Sequence, residues 1–375
     1  MTHSRSPRIE LLESRRCCAA VHGTIQTLAS AGNVGEYTSI AVNPVTHEPA
    51  IAYYDITHHD LKFLQYDGSR WQGSTIDAPG NVGLYASLKF DQTGRAWVAY
   101  FDATNRDLRI AVSHKAGWQI RTVDSTGAQG YYASLAMTAA GEPVIAYYGD
   151  TAGRDAGLKL ATRTLNGWTI QAVNTADARF DNPGAYCSLA LDGHDRPRIS
   201  YQSTDLELKY AAFDGHAWQI QTVEDIAIGE SGYDTHLVLD SAGHPHISYT
   251  YPFTMGGGDG GTFYAENLGN SWSITRVDTT LQGEGFDDSD ATSLLLDPDG
   301  NPIITYRTVG ASVDTPSDNQ LVIARFTSDG FADVAVDTSH QVGGYLSATL
   351  DADGRVLVAY YNQSTGDLRL FTGSS

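Results

Sequence analysis

The sequence predicts an all-β chain folded as a seven-bladed β-propeller, with the last blade closed by an N-terminal strand at about residues 23–28. Three observations predict it. A pattern of about 47 residues recurs along the chain, seven times in all. Each unit divides into four short runs rich in Val, Ile, Tyr and Thr, separated by Gly, Asp, Asn and Pro. The last unit lacks its fourth run, and the start of the chain carries one to spare.

The register of the repeat is set by a Tyr at the end of the second run, found as Tyr53, Tyr100, Tyr147, Tyr201, Tyr249, Tyr306 and Tyr360. Its spacings of 47, 47, 54, 48, 57 and 54 residues match the roughly 40 to 50 residues of one four-stranded blade, the longer ones carrying insertions such as 255–261 and 312–319. In the second unit the runs 85–90, 96–101, 108–113 and 118–123 read as antiparallel strands joined by turns. No window holds a helical period, which excludes a helical solenoid. The fourth run carries Trp71, Trp118, Trp168, Trp218 and Trp272, with Phe331 in the sixth unit, and these large rings are expected to pack between neighbouring sheets. The chain ends after three runs of the seventh unit, while GTIQTL at 23–28 superimposes on WQIRTV at 118–123. Pairing the two ends closes the ring and covers sheet edges that would otherwise stand open.

Composition narrows the partners. Of 375 residues, 41% are hydrophobic and 18% charged, with a formal net charge of −20. No run approaches the roughly 18 apolar residues of a membrane span. A surface of this sign repels polyanions at long range, so nucleic acid is not an expected partner.

Residues 1–20 stand outside the repeat as a leader-like or disordered segment, and 21–375 form the propeller. The stretch PRIELLESRRCCAA at 7–20, with Leu12, Glu13, Ser14 and Arg15 and the small-residue end Ala19-Ala20, resembles the short LEPR-XLL segment of exported planctomycete and related bacterial proteins. It differs in having Ser14 where Pro is usual and Cys17-Cys18 where Leu-Leu is usual. The resemblance implies a bacterial protein that is extracellular or held at the cell surface. Three cysteines build no disulfide framework, and Cys187, inside a first strand, reads as a core residue.

A repeat supplies its own control: what every unit shares is expected to be structural, and a departure asks for a reason. The first strand reads Tyr-x-Ser in Tyr37/Ser39, Tyr85/Ser87, Tyr132/Ser134, Tyr186/Ser188 and Tyr345/Ser347. The fifth unit places Asp234 and His236 in these slots, and the sixth has Ala291 after Asp287, Asp288 and Asp290. After the second-strand Tyr come aromatics in four units, Tyr54, Phe101, Tyr148 and Tyr361, but Gln202, Thr250 and Arg307 in units four to six, with Tyr251 following Thr250. These departures are expected to gather Gln202, Asp234, His236, Tyr251 and Arg307 in one sector of the channel mouth near blades four to six. Repeat drift is the plain alternative. Asp287, Asp288 and Asp290 could supply oxygens to calcium, or form an exposed acidic loop. His58 and His59 lie on the mouth side of blade one without zinc spacing. No phosphate loop, G-x-S-x-G elbow or sialidase-type Asp box is present.

Three functions fit. The first is recognition of an extracellular poly- or oligosaccharide, with Gln202, Asp234, Tyr251, Tyr306 and Asp290 as ligand-binding residues. The second is a polysaccharide lyase acting by β-elimination on a uronate-containing chain, in which Arg307 neutralises the carboxylate, His236 takes the proton, and Tyr249 or Tyr251 protonates the leaving oxygen. Some polysaccharide lyases are seven-bladed propellers that use His, Tyr and Arg, an analogy of fold. A glycoside hydrolase would pair Asp234 with Asp290 and is the weaker enzyme reading. The third is a protein-interaction scaffold.

Overall fold

A computed structural model describes residues 22–150, 156–175, 184–203, 205–224, 231–251, 260–269, 271–278, 292–308 and 319–374. The chain forms seven four-stranded antiparallel sheets in a ring, with no helix among the described residues. The first blade runs from the channel outwards as β2 (Val34–Val42), β3 (Pro49–Asp55), β4 (Asp60–Tyr66) and β5 (Trp71–Asp77). The innermost strands of the next five blades are β6 (Val82–Phe90), β10 (Ala128–Met137), β14 (Ala185–Leu191), β18 (Tyr233–Leu239) and β22 (Thr292–Leu296). The seventh blade is built from β26 (Val342–Leu350), β27 (Val356–Asn362), β28 (Asp367–Gly373) and, from the other end of the chain, β1 (Gly23–Ala29). Ile25 lies opposite Phe371 and Gln26 opposite Leu370, the strand exchange that the truncated last repeat demanded.

Three repeated devices hold blade to blade. The fourth-strand aromatic packs on the third strand of the preceding blade, as Trp118 on Phe63 (centroids 5.0 Å apart), Trp272 on Tyr210 (5.3 Å) and Phe331 on Tyr264 (5.6 Å). The second-strand Tyr is fully buried in six of its seven places, and in three blades its hydroxyl donates to the Asp that ends the preceding blade. Tyr100 donates to Asp77 (2.6 Å), Tyr147 to Asp124 (2.7 Å) and Tyr360 to Asp337 (2.6 Å). The Ser of the first strand takes a backbone N–H from the next blade. Leu88 donates to Ser39, Leu135 to Ser87, Leu189 to Ser134, Leu237 to Ser188, Ala348 to Ser293 and Ile40 to Ser347, at 2.9–3.2 Å. Backbone amides and Asp carboxylates that would otherwise be buried unpaired between two sheets thereby gain partners.

Candidate functional site

Every inner strand with described flanks carries a bulge at the Tyr slot, seen as a register shift before the Ser slot. The bulged residue is in the left-handed region: Tyr37, Tyr85, Tyr132, Tyr186 and Tyr345 have φ of 48 to 54°, and Asp234 has 47°. That conformation costs a side chain about 1–2 kcal/mol. The strain is held by a Gly two residues earlier and by the next blade. Gly83 (φ 110°) lies so close to Leu61 that a Cβ there would stand 2.7 Å from the leucine Cβ. Thr38 donates to the carbonyl of Tyr345 (2.5 Å), Thr235 to that of Tyr186 (2.8 Å) and Thr292 to that of Asp234 (2.9 Å). Cys187 serves Tyr132 in the same way (3.1 Å), and burial pushes its thiol pKa up, which leaves it a structural donor.

The bulge aims the rings at the channel axis. Five tyrosines follow one another around it, with centroid separations of 4.6 Å (Tyr345–Tyr37), 4.8 Å (Tyr37–Tyr85), 4.8 Å (Tyr85–Tyr132) and 4.6 Å (Tyr132–Tyr186). Tyr233 continues the arc 5.1 Å beyond Tyr186. All six rings are half-buried, and the five of the bulged positions line a basin of about 200 Å³, with Asp234 at its open end. A second tier stands outside them: Tyr54, Phe101, Tyr131, Tyr148 and Tyr361 contact the arc or one another at 4.4–6.4 Å. Burial first, then neighbouring phenols, raises the pKa of Tyr37 and Tyr132, so their hydroxyls remain protonated at neutral pH. A basin of apolar ring faces edged by O–H groups and a carboxylate suits a ligand with both C–H and O–H faces.

Beside the arc, the Tyr54 hydroxyl bridges His59 Nδ1 (2.6 Å) and Asn81 Oδ1 (2.8 Å), and burial pushes its pKa up to about 12. His58 is bonded to Asp55 (2.9 Å). Among the described residues no group of three His, Cys, Asp or Glu side chains could hold a metal ion. Asp287, Asp288, Asp290 and Ala291 lie outside the described residues.

The sector expected near blades four to six differs from the structure. Of the residues singled out, Asp234 lines the basin. His236 occupies the Ser slot in function as well as in alignment, its Nδ1 accepting the Leu294 N–H at 3.2 Å, and it faces the channel beyond the tyrosine ring. Arg307 is buried against Gly343 of the seventh blade and donates to Gln363 Oε1 at 3.3 Å. Tyr249 and Tyr306 are wholly buried: Tyr306 donates to Asp333 of its own blade (3.1 Å), and Tyr249 faces Glu224 at the end of the preceding one. Gln202 is buried with its amide on the Ser231 carbonyl (2.8 Å), and Tyr251 packs edge-on against Phe263. The departures on blades four to six therefore rebuild packing at several separate points. The arc itself was present in the sequence as the Tyr-x-Ser repeat, but its convergence depends on the left-handed bulge, for which Gly-x-Tyr at 35–37, 83–85, 130–132, 184–186 and 343–345 is the signal.

No family model and no curated protein matches the chain. Its fold is similar to solved propellers. An ulvan lyase of polysaccharide lyase family PL25, bound to -[GlcA(1-4)Rha3S]-, aligns with TM-score 0.66 and 13% identity over 93% of this chain and 96% of that one. The BP39L lectin of Burkholderia pseudomallei aligns with TM-score 0.65 and 11% identity over 91% and 96%. The lectin of Aleuria aurantia, in complex with α-methyl-L-fucoside, aligns with TM-score 0.52 and 14% identity over 82% and 96%. At these identities the likeness is one of fold.

Proposed function

We propose that the protein is a glycan-recognising propeller that binds a sugar on the tyrosine arc at the channel mouth. One observation carries this reading: five successive half-exposed tyrosine rings, under 5 Å from centroid to centroid, surround a basin edged by phenol hydroxyls and Asp234. The ring faces take the C–H side of a pyranose, while the hydroxyls and the carboxylate exchange hydrogen bonds with its O–H groups. A basin of about 200 Å³ is smaller than the roughly 300–1,000 Å³ of sites that engulf drug-sized ligands. It takes one terminal sugar residue, with the following residues lying over Tyr131 and Tyr148. Glycan-binding and glycan-cleaving proteins among the structural neighbours support a carbohydrate ligand, and place of action outside or at the surface of a bacterial cell accompanies that reading.

The lyase alternative needs a base, an acid and a carboxylate clamp around one carbon-bound proton. His236, Tyr249 and Arg307 are each engaged in joining different blades, which favours binding over turnover. Gel retardation by neutral and uronate-containing polysaccharides, followed together with the ultraviolet absorbance of unsaturated uronate products, tests both. Retardation without product is expected, and Tyr85→Ala should weaken it about tenfold or more, the equivalent of about 1.4 kcal/mol. Retardation unchanged by Tyr85→Ala and Asp234→Asn would overturn the site. Accumulating product would replace the binder with the lyase.

A further inference from the structure

Behind the tyrosine ring the channel widens into a second cavity of about 770 Å³, whose lining shares Thr38, Ala86, Ala133, Cys187, Thr235, Thr292 and Leu346 with the mouth basin. All six serines of the Ser slots line it, with His236 completing the seven. Each serine oxygen already accepts a backbone N–H from the next blade. Its proton is left to donate, and among the described residues it meets no protein acceptor. His236 Nδ1 likewise accepts the Leu294 N–H, which puts the ring proton on Nε2. The cavity wall is thus a belt of donors.

One further residue breaks the sevenfold pattern here. Two positions after the Ser slot the units carry Ala41, Ala136, Ala190, Val238, Leu295 and Thr349, but the second blade carries Lys89. Strand alternation puts that position on the channel side, and Lys89 lines the cavity. Its ammonium makes no ion pair or hydrogen bond with a described residue, and no Asp or Glu is among the described residues lining the cavity. Its charge is felt by His236 from the fifth blade, on the far side of the ring. In a chain of net charge −20, an unpaired cation facing a carboxylate-free belt of hydroxyl donors is the opposite of what the rest of the surface presents. Lys89 is open to the solvent of the channel, so its ammonium is accessible to an anion that enters there.

We propose that this inner channel is a binding site for a small oxyanion group (phosphate, sulfate or carboxylate) held by Lys89 and the ring of serine hydroxyls, separate from the tyrosine basin. Lys89, two residues further along its strand, supplies the charge, and the tier of serines and His236 Nε2 supplies directed donors beside it.

The full chain, at pH 7 and constant chloride, is titrated with inorganic phosphate, sulfate and citrate while the imidazole C–H resonances of His236, assigned by their loss in His236→Ser, are followed by NMR. At least one anion should shift them saturably. Lys89→Met should weaken the binding tenfold or more, whereas Lys89→Arg should retain it. Preference for phosphate or sulfate over citrate identifies a tetrahedral oxyanion, and the reverse a carboxylate. No saturable shift with any of the three anions overturns the proposal. So does an equal response in Lys89→Met, or anion binding that leaves the His236 signals unmoved. Lys89→Gln serves in the same comparison if the methionine variant does not give the native circular dichroism spectrum.

Discussion

At the scale of single residues, the molecule shows one side chain doing another's work. His236 stands where six other blades have serine, and it accepts the same inter-blade N–H. Only a neutral imidazole can do so, because protonation removes the lone pair on Nδ1. Burial, and then the positive charge of Lys89, lowers its pKa from 6.5 to about 4. The unfolded chain therefore takes up a proton before the folded one. Stability from this group is fully present above about pH 6.5 and is lost as pH falls towards 4, on the order of 3 kcal/mol in all. His236→Ser, which restores the repeat residue, should leave stability at pH 7 within about 1 kcal/mol of the parent. It should also be less sensitive to acid across that window. Urea midpoints of both chains at pH 7 and pH 4.5 check this, and equal losses would show that the imidazole is not held neutral. The alignment already put His236 in the Ser slot. What the sequence could not convey is that the slot itself is a hydrogen-bond position between blades, since no local pattern announces a partner 58 residues away. Lys89 was visible by the same unit-by-unit comparison, but only once the channel-facing side of the strand is known.

At the scale of the strand, the bulge converts a repeat into a site. In a regular strand each Tyr-slot side chain would stand on the sheet face that carries the Ser slot two residues on, whereas the left-handed turn at Tyr37, Tyr85, Tyr132, Tyr186 and Tyr345 tips each ring towards the axis. The strand boundaries were legible to within a few residues: the runs 96–101 and 108–113 are Ala96–Asp102 and Asp107–His114 in the structure. The bulge was not legible, because it arises from the fit of a Gly against the preceding blade, a contact between units. Gly83→Ala tests that fit. It adds strain at φ 110° and a Cβ 2.7 Å from a fully buried leucine. A loss of about 3 kcal/mol is expected. Gly117, at φ 125° with nothing within 4 Å of its would-be Cβ, isolates the strain alone. Gly117→Ala should cost only about 1 kcal/mol. Chemical denaturation of the two variants compares them, and equal losses would mean that contact with the neighbouring blade does not set the bulge.

At the scale of the whole molecule, the ring closes because β1 supplies the fourth strand to β28, and this was fully readable from a last repeat three strands long. The site was less readable, since a sevenfold ring offers many departures and the sequence does not say which of them meet. His236 and Arg307 broke the pattern and were taken up by separate blade contacts, while the shared geometry of the unbroken Tyr slots made the basin. Net charge then separates the possible ligands. With −20 on the chain, a polyuronate approaching the mouth is repelled over a Debye length of about 30 Å at 0.01 M salt, but only about 8 Å at 0.15 M. A neutral glycan stacked on tyrosine rings feels no such field. Its affinity should change less than about twofold between those salt concentrations, whereas retention of a uronate-rich chain should strengthen as salt rises. Gel retardation of both polymers across the salt series measures the difference. If uronate binding instead weakens with added salt, the polymer is meeting a positive surface, and the mouth basin with Asp234 at its edge is not where it binds.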